Sequence, residues 1–600
     1  MAYRGTYLSV RRMPDIFRGV SMTSSNYWDR WWQRRTSRRR VLMTGGTAAV
    51  GAAGFALVGC GDDDDDDGGT SSNGNGSSTN TTPQGGNTPS SGETPRPSGW
   101  YTYIGGPIGG SIDIHRTNTP IESAGMWHWI GNFLVRYSVE HYEPEPDLAV
   151  DLPEITDDGL TVTFKLNPEA KFHNRPPVNG RKVTAEDVKW TFERIKSPDV
   201  GSPRGGNYAN VESITAIDDE TVQFKLKTPQ ADLLRAMADQ YDLIIPKEIA
   251  ERGRDAIQSV EDCIGSGAYE AVSYTAGQGL EVRKRPDGYW KPNKAWWDGA
   301  RWTHQVDNQQ KSNALRTGQV LATDLPADLV REYQGNSDFQ ILFAPNPTRE
   351  CLLLNHEKEP YNDPRVRQAI WRAVNRELVY QNVFAGGGIP GGPMSPAAAN
   401  WVLPEDELKK LPGFRSREED LKEAKELLAA AGYPDGFEDT MMTATAFSTN
   451  LLADQLVPAL AEVGIRMTIE NVGTDFNVML RRESEGSFTT AATLFLSGPY
   501  PDAQLFIYHH SDFPTTGSRN YGRYKNPQMD EWLERQRTLL DQAEREKLID
   551  DIQRELILNP GPIWIGSRIQ YYVLSAKLQN THSHPFLASY DEAEDVWLKA

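Results

Sequence analysis

Three cysteines in 600 residues, Cys60, Cys263 and Cys351, are too few for a disulfide framework or a metal site built on thiolates. Cys263 and Cys351 are read as two separate buried thiols, a single bridge between them being the alternative. Long apolar runs are scarce as well. Hydrophobic residues make up 38% of the chain and the mean hydropathy is -0.58. That excludes a polytopic membrane protein, which needs repeated spans of ~20 apolar residues. Basic residues number 63 against 82 acidic ones, a net charge of -19 that argues against nucleic acid as partner. Catalytic motifs are missing too: no GxSxG elbow, no HExxH, no phosphate-binding loop ending in Lys and Ser or Thr. The adjacent His509 and His510 project in different directions and read as a solvated loop rather than a metal site. No enzyme, cofactor or metal is expected.

What the chain does have begins at its N-terminus. Residues 1–59 hold ten arginines and only Asp15 and Asp29 as acids. Arg38 and Arg39, within Ser37–Met43, form a twin-arginine export pattern, and the weakly apolar, Gly- and Ala-rich run Val41–Val58 follows it. Leu57-Val58-Gly59-Cys60 has the form of a lipobox, with Cys60 the acylated residue. Six consecutive aspartates, Asp62–Asp67, and a Gly, Ser, Thr, Asn and Pro stretch to Ser98 form a disordered tether over 60–99. The expectation is an extracytoplasmic body on a lipid anchor.

From Trp100 the signals alternate. Leu160–Leu166 and Thr221–Leu226 are period-two strands. Thr184 with Asp187 opens a helix as a capping box. Asp363-Pro364 starts another, with Val366, Ala369, Ile370, Ala373 and Val374 on one face. Ser416 and Glu419 cap a third, stopped by Gly432. Strand, helix, strand, helix, strand then follow over Thr440–Ala446, Leu451–Val463, Ile465–Val472, Phe476–Arg482 and Thr489–Leu496. This order predicts a parallel sheet covered by helices, with ligands beyond the carboxyl ends of its strands. The loops Phe447–Asn450 and Ser497–Asp502 are the places to look.

Eleven segments in order resemble one family. They run from Asp113 and His115 through Pro146–Ala149, Asp158–Leu166, Lys171–His173, Val183–Val188, Gly265–Tyr269, Tyr289-Trp290, Leu354-Asn355, Asp363–Arg376 and Ala424–Phe437 to Tyr500–Asp502. The chain resembles the family 5 extracytoplasmic solute-binding proteins of ABC importers, which include dipeptide-, oligopeptide- and nickel-binding members. The resemblance implies an α/β type II periplasmic-binding-protein fold with two lobes around a hinged cleft. The lobes are expected at 100–346, completed by 571–600, and at 347–570. It also implies a monomer that delivers a solute to ABC permease subunits. Gly265–Gly267 is read as a tight turn between lobes and His173 as packing between strand and helix. Arg365, Arg367 and Arg376 are read as surface or ion-pair residues.

Candidate ligand contacts are Trp127, Trp129 and Asn132 in the first lobe, whose aromatic rings suit stacking on a ligand or core packing alike. In the second they are Phe447, Ser497, Tyr500 and Asp502, placed at strand ends. Peptide-binding relatives hold the ligand's amino group with an Asp where this chain has Pro499. Dipeptide binders add an Arg that residues 443–450 lack. The expected solute is therefore an oligopeptide or peptide-like molecule, with unmodified dipeptides bound weakly. An oligosaccharide, or an adhesive role for a surface lipoprotein, is the alternative.

Overall fold

Alternation of apolar residues sets the first strands. Thr161–Lys165 and Thr221–Leu226 pair antiparallel, with Val162 opposite Phe224 and Phe164 opposite Val222, and bury these four on one face. Val211–Ala216 and Glu154–Ile155 complete a four-stranded sheet. The helix Ala185–Lys196 covers it, its Phe192 meeting Phe224 and Tyr208 edge to face at 5.3 and 5.0 Å. Its capping box forms as the sequence predicts. The buried Asp187 also accepts from Arg181 at 2.6 and 2.8 Å and from the Lys247 N–H at 2.9 Å. Near the helix end, Arg194 pairs with Asp113 through two bonds of 3.1 and 2.5 Å and donates to His115 Nδ1 at 2.8 Å, all three residues being buried. Asp113 and His115 are thus scaffold.

The structure, a computed structural model, describes Pro95, Pro97 and residues 99–599 apart from 106–110, 118–122, 139–142, 157–158, 513–518 and 584–593. The signal, Arg38, Arg39, Cys60 and the tether lie outside the described residues. Among the described residues no helix is long and apolar enough to cross a membrane. Cys263 and Cys351 are both free and buried.

Two main cores organise these residues. The first runs from Tyr101 to Trp302 with Ala322, Leu574, Leu578 and Val596, and the second from Cys351 to Ile565. In the second, Asp363 and Ser416 cap the helices Pro364–Ala373 and Arg417–Ala430, and Gly432 follows with φ 96°, open to a residue without Cβ. The strands Phe437–Thr443, Ile465–Asn471 and Thr490–Leu496 are parallel, separated by the helices Thr449–Ala461 and Phe476–Glu485.

Both cores share one sheet. Its order is Ile465–Asn471, Phe437–Thr443, Thr490–Leu496, Phe339–Leu354, Ile563–Ser575, Ala322–Leu325, Trp100–Gly105, Gly299–His304, Gly279–Lys284 and Tyr269–Thr275. Phe339–Leu354 and Ile563–Ser575 pair antiparallel along most of their length, and the register shifts between Pro345 and Arg349. The shift has a chemical cause. Pro345 and Pro347 bring no N–H to the ladder, and Asn346 turns its side chain to the Thr348 N–H at 2.8 Å and to Gln570 at 3.1 Å.

Several readings from sequence need correction. Gly265–Gly267 is not a turn between lobes: it crosses the backbone of Ile130 inside the first core, where the Gly267 N–H donates to the Ile130 carbonyl at 2.9 Å. His509 and His510 are buried rather than solvated. His509 contacts the Leu505 carbonyl at 2.8 Å, burial holds its pKa down to about 3, and His510 stacks on Phe506 at 4.4 Å. Arg367 and Arg376 are buried too and staple carbonyls, Tyr361 and Pro560 for the first, Trp371, Gly413 and Trp564 for the second. A guanidinium's five donors let one buried side chain serve several carbonyls at once.

Glu483 is fully buried, and burial pushes its carboxyl from an ordinary 4.5 up to about 8, Thr493 offsetting part of the effect. Folded, it is protonated at neutral pH; unfolded, it is ionised. Its contribution to stability is whole below the unfolded pKa of about 4.5 and is lost as pH rises to about 8. Glu483→Gln removes this titration. Melting temperatures measured from about pH 5 to about pH 8 should shift in the variant's favour as pH rises, and parallel profiles would show that Glu483 does not titrate in that window.

Candidate functional site

Phe437–Thr443 and Thr490–Leu496 are neighbouring parallel strands, so the loops after them leave the same sheet edge. Their destinations differ. In the first loop Phe447 adopts φ 54° and is 66% exposed, its ring meeting Phe476 at 5.3 Å; it does not line the cavity described next. The second loop turns toward the first core. With Pro347, Arg204 and Asp239–Tyr241 it lines a cavity of about 130 Å³.

The loop is held in place by its own backbone. Its Ser497 N–H donates to the Pro347 carbonyl at 3.0 Å, Gln504 donates to the Gly498 carbonyl at 2.7 Å, and the Tyr508 hydroxyl donates to the Leu496 carbonyl at 2.5 Å. Tyr500 is buried against Ala236 and Ala503, and its hydroxyl is pushed well up by burial and then by the Asp239 carboxylate across the cavity. Ser497, Gln240 and Arg204 line this cavity, and each carries a buried atom, Oγ, Oε1 and Nε in turn, without a hydrogen-bond partner among the described residues. Each such atom costs about 1–3 kcal/mol unless something satisfies it, and three on residues lining one cavity leave room for a polar ligand to do so.

Asp502 lies behind the cavity. It pairs with Arg537 at 3.0 Å, accepts from Gln536 at 3.1 Å, and its N–H donates to Asp232 Oδ2 at 3.2 Å. Burial raises its pKa, with Arg537 opposing and Asp232 adding to the rise. Asp232 in turn receives Arg545 through two bonds of 2.7 and 2.5 Å, both side chains being 3–4% exposed. Arg545 and Arg235 lie over the Trp401 ring at 5.0 and 5.2 Å. This junction ties the two cores together beside the cavity.

Trp127, Trp129 and Asn132 sit deep in the first core and do not line the cavity. Trp127 donates to the Ile112 carbonyl at 2.9 Å, and Trp129 packs between Tyr101 and Tyr269 at 5.5 and 4.8 Å. Asn132 is engaged by Asp147, Tyr289 and Ser266 at 3.2, 3.0 and 3.0 Å. Arg204 and Asp239–Tyr241 were not anticipated. Their only trace in the sequence is the polar cluster Asp239-Gln240-Tyr241-Asp242 after a five-residue helix, Leu233–Met237. A larger trough of about 740 Å³ between Ile257–Glu261 and Val272–Tyr274 is lined by no second-core residue and no unpartnered buried side chain.

Residues 143–516 match the model of the bacterial extracellular solute-binding proteins, family 5. The chain belongs to this family. Among curated relatives, this solute-binding protein is 26% identical over 457 residues to the glutathione-binding protein GsiB of Pectobacterium atrosepticum, covering 75% of this chain and 85% of that one. Solved structures share its fold. The periplasmic binding protein DppA of Helicobacter pylori, in complex with the peptide STSA, superposes with a TM-score of 0.68 at 24% identity, covering 84% of this chain and 99% of that one. The oligopeptide-binding protein AppA of Bacillus subtilis, in complex with a nonapeptide, does so with a TM-score of 0.67 at 21% identity, covering 84% and 100%. The solute-binding protein therefore has the type II periplasmic-binding-protein fold, and its cavity is lined by residues of both cores. Among its described residues no group of three or more His, Cys, Asp or Glu is placed to hold a metal ion.

Proposed function

We propose that the protein captures a short peptide or peptide-like solute in the interlobe cavity and delivers it to the permease subunits of an ABC importer, exported by the twin-arginine route and anchored through lipid on Cys60. The observation that carries this reading is that Ser497, Gln240 and Arg204, from both cores, line one cavity and each carries a buried polar atom without a partner among the described residues. The cavity of about 130 Å³ is below the roughly 300–1,000 Å³ of ligand pockets, so the two lobes part further to admit a peptide. Relatives that bind glutathione and peptides support the same class. The lobes divide at 100–346 with 571–600, and at 347–570. The register break at Pro345–Arg349 serves as the hinge, since a strand pair bends most easily where its ladder is interrupted.

Expressed as the full precursor in the native host, the parent should carry lipid mass that the Cys60→Ala variant lacks, and a parent without lipid mass would refute the anchor. The mature chain with the same change tests the ligand. Titrated with glutathione, tripeptides and an oligosaccharide, it should bind a peptide-like ligand, and its radius of gyration in small-angle scattering should fall at saturation. Binding of the sugar alone would overturn the peptide reading.

A further inference from the structure

We infer that Asp239, on the first-lobe wall of the cavity, receives the ammonium group of the ligand, and that Arg519, on the second-lobe wall, receives its carboxylate. This rests on the peptide-binding reading above and gives that site its charge pattern.

The argument begins with the charges around the cavity. Asp239 lines it and accepts a hydrogen bond from the Tyr241 N–H at 3.2 Å. Asp242 is fully buried; one of its carboxylate oxygens takes the Tyr208 hydroxyl and the other, Oδ1, has no partner among the described residues. Among the described residues neither carboxylate forms an ion pair within 4.0 Å. Arg204 is the cation of this wall. It is turned to other work, with Nη2 donating to the Thr117 carbonyl at 2.5 Å and its guanidinium over the Tyr241 ring at 4.0 Å. Two carboxylates thus share the field of one guanidinium. Burial raises both of their pKa values, Arg204 and His128 ease Asp239, and Asp239 raises Asp242 further. A primary ammonium entering the cavity would favour the charged form of both carboxylates and brings three donors.

The opposite wall carries a positive charge. Pro499 lines it with neither charge nor N–H, while Arg519 lines it beside Tyr508. A zwitterionic peptide can then span the two walls, ammonium toward the first lobe and carboxylate toward the second. A ligand held by opposite charges on the two lobes also favours their approach, because each lobe binds one end.

The test uses the mature chain with Cys60→Ala and four probes: glutathione, trialanine, N-acetyl-trialanine and trialanine amide. Calorimetry should show N-acetylation and amidation each weakening binding by about tenfold or more. Asp239→Asn should weaken free trialanine by about tenfold or more yet leave the N-acetyl peptide within about threefold of the parent protein, and Arg519→Gln should behave likewise toward the amide. Equal affinity of the parent for free and N-acetylated trialanine would overturn the assignment without needing any variant to fold. So would an Asp239→Asn protein that binds free trialanine unchanged. A parent that binds none of the four peptides would instead overturn the peptide-binding reading, and the assignment with it.

Discussion

Asp232→Ala should lower the free energy of unfolding by about 3–5 kcal/mol, and Arg545→Ala by a similar amount, because either change strands a buried charge. Asp232 takes two bonds from Arg545 at 2.7 and 2.5 Å, one from the Asp502 N–H at 3.2 Å and a weaker one from Arg235 at 3.5 Å. Burial alone would raise its pKa, but Arg545 and then Arg235 overcome that and leave it lowered. The sign is that of a depressed carboxylate: the stabilisation is present above the unfolded pKa and is lost as pH falls through the folded one. Replacing both partners with apolar residues, Asp232→Leu with Arg545→Met, should recover most of the loss, since the desolvation cost disappears with the charges. Urea unfolding of the three variants measures this. Single-variant losses below about 1 kcal/mol, the range of exposed pairs, would show that water screens the junction.

Gly265→Ala is the second large effect. A Cβ there would stand 2.0 Å from the Ile130 carbonyl oxygen and 2.9 Å from the Gly131 Cα, both backbone atoms with no rotamer to escape through. The same residue accepts from the His173 N–H at 2.9 Å and donates to His173 Nδ1 at 3.2 Å, so movement of Gly265 also unseats the histidine. Burial holds the pKa of His173 down to about 3, which keeps Nδ1 free to accept. The expected result is a loss of more than about 3 kcal/mol or no soluble protein, read by thermal melting. Gly206→Ala, where a Cβ meets nothing within 4 Å, is the control. Similar melting temperatures for the two variants would sink the close-packing argument.

The parts of the fold readable from sequence are those whose causes are local. Thr184 with Asp187, and Asp363 before Pro364, announce helices because a cap is satisfied within three residues. The strands at Thr161–Lys165 and Thr221–Leu226 declare themselves by bearing one apolar face. The pairing of Phe339–Leu354 with Ile563–Ser575 carries no such signal, since it joins residues more than 200 positions apart. The site divides in the same way. Ser497 and Tyr500 follow from the rule that ligands gather at strand ends, and both line the cavity. Phe447 obeys the same rule and does not line it, because its loop packs on Phe476. Arg204, Asp239 and Gln240 come from loops of the other core. Only tertiary packing brings them to Ser497.

The strand Ile563–Ser575 has a consequence for how the molecule is made. It lies inside the shared sheet, between Phe339–Leu354 and Ala322–Leu325, and also pairs with Gly388–Pro390. A ribosome that has produced everything up to residue 560 has still not supplied the strand against which segments on both sides must lie. Until it emerges, Phe339–Leu354 keeps one open edge and Ala322–Leu325 lacks a neighbour, the kind of unpaired surface that recruits other chains. Completion of the sheet therefore waits on contacts of long sequence separation. Such contacts make for slow folding. Loss of the last tenth of the chain would disturb both halves of the protein at once.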